Sequence, residues 1–209
     1  MIKKGVIIGL LLLLMVACQP EPIPTPTLAP TETVDFTIDK THISLMTLPG
    51  WRAYTDEAHI ILARQSAPDE VSDVVVTIWQ PNLDLTDDSL ITALSTITTR
   101  LRRDNQTVTS NPVPFQWAGH DAAHYVIDTG DDTVTLIMAL RLTDDQIVAI
   151  NVNGVDRDLS FVQETLPRLF AQFRVQDQLV GNTGLLTLSQ VINVPQLNPE
   201  AAIQASPDP

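Results

Sequence analysis

The sequence predicts an α+β fold, in which an antiparallel β-sheet has helices packed on it. Most of its apolar residues stand in short runs rich in Val and Ile, which favour β-strands. Two longer segments repeat their apolar residues at helical spacing instead. The connections in the second half of the chain are too short for a crossover, so the strands there are expected to pair antiparallel.

The segments follow one another as strands, a helix, a meander of strands and a second helix. The strands predicted before the first helix are 36–38, 43–46, 59–63 and 74–79, with a turn at 48–51. The strands predicted in the meander are 113–117, 123–127, 133–140 and 147–152. Turns are expected between them at Gly119, at 130–132 and at 144–145.

The first helix is expected to begin at Thr86, whose hydroxyl suits an N-cap, and to end near a group of arginines. One buried stripe is predicted from Leu90, Ile91, Leu94, Ile97 and Leu101. Arg100, Arg102 and Arg103 fall in the last turn, where cations favour the helix dipole. A nucleic-acid patch is the alternative, but the net charge of −13 opposes it.

The second helix is expected to be capped by Asp156 or Asp158 and to be kinked or split at Pro167. Its apolar face is predicted from Leu159, Val162, Leu166, Leu169, Phe170 and Phe173.

The first 17 residues have the pattern of a signal peptide, with Lys3 and Lys4 before an apolar run that is short for a membrane span. The run ends at Cys18, and the segment 15–18 resembles the lipobox of bacterial lipoproteins, with Met where Leu is usual. The resemblance implies cleavage before Cys18 and a diacylglyceryl group on its sulfur, which anchors the protein on the extracytoplasmic face of the membrane. The alternative is a plain secretory signal or an uncleaved anchor with an incidental cysteine.

Residues 18–34 are rich in Pro and Thr and predict an extended linker, although a proline-motif ligand or a glycosylated stalk has the same composition. The folded body is expected at 35–176 and a C-terminal extension at 177–209. Within that extension, 185–188 and 191–194 are apolar and predict an extra strand or a docked segment, and the residues from Pro195 onward read as disordered.

The order of elements resembles the PsbP-like superfamily, which includes bacterial envelope lipoproteins of the LpqN and DcrB type. The resemblance covers about residues 36–176 and rests on Leu48-Pro49-Gly50-Trp51, on the segment 117–122 before a strand, and on the closing segment 169–175. It implies an α/β/α sandwich that acts as a non-catalytic binding or assembly module. It brings no catalytic residue with it.

A second motif, Asp128-Thr129-Gly130, resembles the catalytic loop of aspartic proteases. The segment 179–181 adds to the likeness as an apolar-apolar-Gly sequence downstream. That chemistry needs two aspartates that share a proton, so a single motif would require a dimer. The same residues are also ordinary hairpin-turn chemistry, which is the interpretation that we favour.

His120 and His124 have the i, i+4 spacing of a helical zinc site, but Gly119 and the β-like context argue against a helix there. We expect His120 in a turn and His124 on a strand, with no third ligand. The acidic groups at 69–73, 87–88 and 144–145 match no EF-hand loop.

The sequence therefore predicts a non-enzymatic, membrane-anchored envelope lipoprotein that binds a protein partner or assists assembly. Cys18 is its lipid-anchor residue, and no catalytic, cofactor or metal site is assigned. The alternatives are a dimeric aspartic hydrolase that uses Asp128 and a small-ligand carrier. The carrier's pocket would lie between sheet and helix and be lined by Trp51, Trp79 and Trp117, although these tryptophans also fit a core.

Overall fold

The computed structural model describes residues 33–38, 41–56, 58–64, 73–83, 89–102, 106–108 and 111–194. This part of the chain is mostly antiparallel β-sheet with a few helices, so the α+β class holds at this level. The predicted signal peptide and Cys18 lie outside the described residues, as does the linker up to residue 32. The first strand begins at Thr33 and therefore includes the last two residues of the segment predicted as linker.

Short strands make up most of the described structure. In chain order they are β1 (Thr33–Ile38), β2 (Thr41–Met46), β3 (Trp51–Thr55), β4 (His59–Arg64), β5 (Val75–Trp79), β6 (Thr107–Val108), β7 (Val113–Trp117), β8 (His120–Asp128), β9 (Thr133–Thr143), β10 (Gln146–Asp156), β11 (Arg174–Val175) and β12 (Gln178–Leu179). The helical elements are α1 (Leu90–Leu101), a π-helical turn (Phe161–Thr165), α2 (Leu166–Leu169) and a 3-10 helix (Leu185–Gln190).

The strands form two sheets in which every pairing is antiparallel. The larger sheet has the order β3-β4-β5-β10-β9-β8-β6, and β7 also pairs with β8; the smaller sheet has the order β1-β2-β11-β12. The eight predicted strand segments are all confirmed. Strand β3 was not predicted, because this edge strand carries the polar residues Arg52 and Thr55 and has no apolar run.

Other elements pack on both faces of the larger sheet. One face packs against the smaller sheet and the C-terminal helical segments, in a cluster that includes Leu62, Met138, Ile150 and Phe170. The other face packs against α1, in a second cluster around Leu94 and Ala139. Because side chains alternate along a strand, neighbouring residues of β8, β9 and β10 contribute to different clusters.

The first helix begins later than predicted. Its N-cap is Ser89, whose hydroxyl accepts a hydrogen bond from the backbone N–H of Thr92 (3.3 Å), and not Thr86, which lies outside the described residues. Leu90, Leu94 and Ile97 are buried as predicted. Leu101 is wrongly placed in the buried stripe, since it is 39% exposed at the last residue of the helix.

The second helical segment is split close to Pro167, as predicted. The N–H of Leu166 donates to the carbonyl of Phe161, five residues earlier, and a single short α-helical turn follows. Pro167 has no N–H with which to continue a regular pattern. All six residues of the predicted apolar face are buried. The carboxylate of Asp158 accepts a hydrogen bond from the backbone N–H of Ser160 (2.9 Å). Of the two predicted cap residues, Asp158 therefore makes a side chain-to-backbone hydrogen bond just before the helical segment.

Part of the C-terminal extension packs on the domain as a docked segment. Leu185, Leu188 and Ile192 are buried in the same cluster as the body of the domain. The first two are on a 3-10 helix and Ile192 follows it, so this segment is not a strand. The indole N–H of Trp117 donates to the carbonyl of Gly181 (2.8 Å). The described fold therefore continues to Val194, beyond the predicted boundary at residue 176.

Candidate functional site

The helix α1 is much shorter than the strands beneath it. Its 12 residues span about 18 Å at the usual rise of an α-helix. Strands β9 and β10 have 11 residues each, which corresponds to about 36 Å. A helix of this length cannot cover the full length of these strands, and within the described part of the chain a region of this sheet face beyond Leu101 is uncovered.

The open region is a groove with two adjoining cavities of about 220 Å³ and 610 Å³ that share Leu101 and Asn151. We call it the helix-end groove and define it by six residues of its lining. These are Thr77, Trp79, Leu101, Thr135, Asn151 and Asn153. The larger cavity is within the usual range of small-molecule sites, roughly 300–1,000 Å³.

The sequence of β10 changes character where the helix ends. Ile147, Ala149, Asn151 and Asn153 occupy alternate positions and so share the face that α1 covers. The first two are buried in the α1 cluster, whereas Asn151 is half-buried and Asn153 is exposed. Neither asparagine was predicted as a site residue from the sequence. The signal that could have found them is this replacement of apolar by amide side chains at period two.

The floor of the groove has one fixed amide and one unpartnered oxygen. The hydroxyl of Thr135 donates to Oδ1 of Asn153 (3.0 Å), which leaves the NH₂ group of Asn153 to donate elsewhere. Oδ1 of Asn151 is buried and has no hydrogen-bond partner in the described structure. A buried polar atom without a partner normally points to a water or ligand atom that completes it. The groove therefore presents an acceptor and a donor two positions apart on one strand face.

The two ends of the groove differ in their side chains. At one end the rings of His59 and Trp79 lie 6.2 Å apart, and Trp79 is only partly buried. At the other end lies Asp131, which accepts hydrogen bonds from the hydroxyls of Thr129 (2.6 Å) and Thr133 (2.8 Å). The bond from Thr129 is the main reason that the pKa of Asp131 lies below its ordinary value. This carboxylate is therefore ionised and engaged within its own turn.

A separate cavity of about 510 Å³, which we call the π-turn cavity, lies on the opposite side of the larger sheet, beside the π-helical turn. Trp51 and Phe161 line it, with ring centroids 5.8 Å apart. Arg64 and Arg168 also line it, together with two acidic residues, Asp156 and Glu164. These charges balance, so the cavity favours neither an anion nor a cation.

Asp128 ends strand β8 at a hairpin turn, where the turn interpretation places it. One of its carboxylate oxygens accepts from the backbone N–H of Gly130 (2.9 Å) and from the guanidinium of Arg157 (2.5 Å). An aspartic-protease dyad instead holds a carboxylate against a second carboxylate. The carboxylate of Asp128 is thus engaged by a cation and by its own turn.

His120 and His124 occupy different environments. His120 was predicted in a turn, but it is the first residue of β8. His124 is on the same strand, as predicted. His124 is 1% exposed, its Nδ1 has no hydrogen-bond partner among the described residues, and its ring contacts that of Phe115 at 5.8 Å. Burial lowers the pKa of His124 to about 4. In the described part of the chain, no three His, Cys, Asp or Glu side chains are grouped as they would be around a metal ion.

The three tryptophans have separate roles. Trp117 is fully buried against Phe170 and Phe173. Trp51 is mostly buried beside the π-turn cavity, and of the three tryptophans Trp79 alone reaches the helix-end groove. The three rings that were expected to line one pocket between sheet and helix are therefore not brought together.

The remaining predicted residues lie at the periphery or outside the described chain. Arg100 is in the last turn of α1 and Arg102 is its C-cap, while Arg103 lies outside the described residues. Asp144 and Asp145 form the turn between β9 and β10. The acidic residues at 69–70 and 87–88 lie outside the described residues, like Cys18.

No helix in the described ranges has the length and apolar character that crossing a membrane requires. A search of protein-family models gave no match to this chain. A search of curated proteins gave no significant match either.

Proposed function

We propose that this protein is a lipid-anchored binding module of the bacterial envelope. A diacylglyceryl group on Cys18 would hold it on the extracytoplasmic face of the membrane. The support is the sequence of the first 18 residues, in which a basic start and a short apolar run lead to the lipobox-like segment 15–18. Two acyl chains are enough for stable anchoring, whereas a single chain binds a membrane only marginally.

The observation that supports binding rather than catalysis is the helix-end groove with the unpartnered oxygen of Asn151. Amides and hydroxyls such as those of Thr77, Asn151 and Asn153 are groups that orient a ligand. The carboxylate of Asp131 is held by two threonine hydroxyls, and that of Asp128 is paired with Arg157. This arrangement favours a module that holds a ligand without transforming it.

We infer a PsbP-like domain, in which an α/β/α sandwich serves binding or assembly in the envelope. The support is the central antiparallel sheet with elements packed on both faces, the helix between the early strands and the meander, and the closing helical segment. A protein partner is the expected binding target of such a module, and the groove adds support for a small ligand as well.

The anchor is tested by producing the full chain in a bacterial host and measuring the mass of the membrane-extracted protein. We expect a chain that begins at Cys18 and carries a diacylglyceryl modification. Cys18→Ser is the matched control, because it keeps the signal-like run and removes only the sulfur. An unprocessed amino terminus, or an unmodified Cys18 on a freely soluble protein, would overturn the anchor.

The binding role is tested by crosslinking in intact cells that produce the full chain, followed by capture and identification of the crosslinked material. We expect a specific partner or ligand that depends on correct anchoring and is lost with Cys18→Ser. If the wild-type protein and this variant gave the same captured material, the anchored binding role would be wrong.

A further inference from the structure

We propose that the helix-end groove binds a neutral, polyhydroxylated ligand of the sugar class. This inference deepens the proposed binding function, on which it rests, by naming the chemistry of the ligand. It is carried by three features of the groove, namely its amide floor, its partly exposed tryptophan and its balance of charge.

The floor suits hydroxyl groups because each hydroxyl both donates and accepts a hydrogen bond. Oδ1 of Asn151 needs a donor, and the NH₂ group of Asn153 is available to donate because its oxygen already accepts from Thr135 (3.0 Å). The two asparagines are two positions apart on one strand face, which separates them by roughly 7 Å. Neighbouring hydroxyls of one extended ligand can meet both groups.

The partly exposed ring of Trp79 lies at one end of the same groove. A sugar ring has an apolar C–H face, which packs well against the flat, electron-rich face of an indole. Trp79 is directly opposite Ala149 in the sheet, and Asn151 is opposite Thr77. The ring and the amide floor are thus parts of one surface on neighbouring strands.

The groove is close to neutral although the chain as a whole is strongly acidic. Among its described lining residues the charged ones are Arg100 and Asp131, and they stand in different cavities of the groove. A lining of this kind favours neither a phosphate nor a cationic ligand. The groove also lies on the face of the sheet and not along its edge, so a peptide cannot add to it as a further strand.

The test is isothermal titration calorimetry on the full chain in detergent, with maltotetraose, chitotetraose and xylotetraose as probes. Each probe is compared with its monosaccharide, and tetragalacturonate serves as an anionic comparator. We expect at least one neutral probe to bind with a Kd of about 1 mM or lower. A tetrasaccharide that binds more tightly than its monosaccharide would identify a glycan chain as the ligand, and equal affinities would identify a free sugar.

Two variants link binding to the groove. We expect Asn151→Leu, which removes the acceptor, and Trp79→Leu each to weaken binding at least about tenfold, which corresponds to the loss of one well-made contact. Tyr54→Ala is the matched aromatic control, because Tyr54 is 49% exposed on the edge strand β3, away from the groove. Circular dichroism and thermal unfolding verify that each variant is folded.

Three outcomes would overturn the inference. They are the absence of binding to every neutral probe, tightest binding of tetragalacturonate, and unchanged affinity in both folded groove variants. None of these results bears on the lipid at Cys18, which mass measurement tests independently. Failure of the sugar inference is therefore distinguishable from failure of the anchor.

Discussion

The guanidinium of Arg157 lies 2.5 Å from a carboxylate oxygen of Asp128, and this ion pair joins the end of β10 to the β8–β9 hairpin. Nε of Arg157 also donates to the carbonyl of Asp131 (2.9 Å) within the same hairpin. The side chains of Arg157 and Asp128 are 15% and 21% exposed, so water screens the pair less than it would a surface pair. The residue that resembles a catalytic aspartate thus has a structural partner.

We expect Asp128→Asn to lower the free energy of unfolding by about 1–2 kcal/mol, because Arg157 would lose its countercharge in a partly buried site. Chemical denaturation measures the change. A double-mutant cycle with Arg157→Met isolates the pair, and we expect the double variant to lose less than the sum of the two single losses. Peptide cleavage at acid pH that disappears in Asp128→Asn would instead support the hydrolase and contradict the binding module.

The buried imidazole of His124 predicts that the protein loses stability in mild acid. Its pKa is about 4 in the folded protein and about 6.5 in an unfolded chain, so the unfolded state binds more protons between these values. Stability is fully present above about pH 6.5 and falls as the pH drops towards 4, by about 3 kcal/mol in total. Chemical denaturation at a series of pH values measures this slope.

The matched test of that slope is His124→Leu against His120→Gln. Leu is apolar like the register partners of His124, Val113 and Met138, and it removes the titrating group. We expect the part of the slope that lies between pH 4 and 6.5 to shrink in His124→Leu, whatever the absolute stability of that variant. His120 is not buried and its variant should keep the slope. An unchanged slope in His124→Leu would assign the acid sensitivity to other groups.

Two glycines test whether the segment after residue 176 is part of the domain. Gly184 and Gly130 both have positive φ, at 98° and 83°. A Cβ at Gly184 would meet the carbonyl oxygen of Gln116 at 2.0 Å, whereas a Cβ at Gly130 meets nothing within 4 Å. We expect Gly130→Ala to cost about 1–2 kcal/mol of stability from backbone strain alone. Gly184→Ala should cost about 1–3 kcal/mol more than Gly130→Ala, because the docked segment must shift to relieve the added clash.

Equal losses in the two alanine variants would show that the contact between Gly184 and β7 contributes nothing to stability. Thermal unfolding of both variants, together with the wild type, is sufficient to compare them.

The apolar patterns of the sequence predicted the sheet and both helical segments because burial repeats at the period of the element. The face from Leu159 to Phe173 is an example, since all of its predicted residues are buried. The start of α1 was placed too early, because Thr and Ser are both good N-cap residues and residue type alone does not choose between Thr86 and Ser89.

The candidate site could not be predicted from local patterns. Asn151 and Asn153 read as polar interruptions of a strand until the helix above them is seen to end at Leu101. Whether a strand position lies under a helix or beyond its end depends on tertiary packing, which periodicity does not encode. Trp117 and Trp79 likewise have the same chemistry, yet one is in the centre of the core and the other opens to the groove.

The unpartnered oxygen of Asn151 predicts that the groove costs the protein stability. We expect Asn151→Leu to raise the free energy of unfolding by about 1 kcal/mol, because an apolar side chain of similar size removes a buried acceptor that lacks a donor. The same substitution at Asn182 is the control. Its amide donates to the carbonyl of Pro167 (2.9 Å), so Asn182→Leu should lower stability by about 1 kcal/mol or more. Thermal and chemical denaturation of the two variants measures the opposite signs. Destabilisation by Asn151→Leu would mean that its oxygen is already satisfied, and the groove would then lose the feature that singles it out as a binding site.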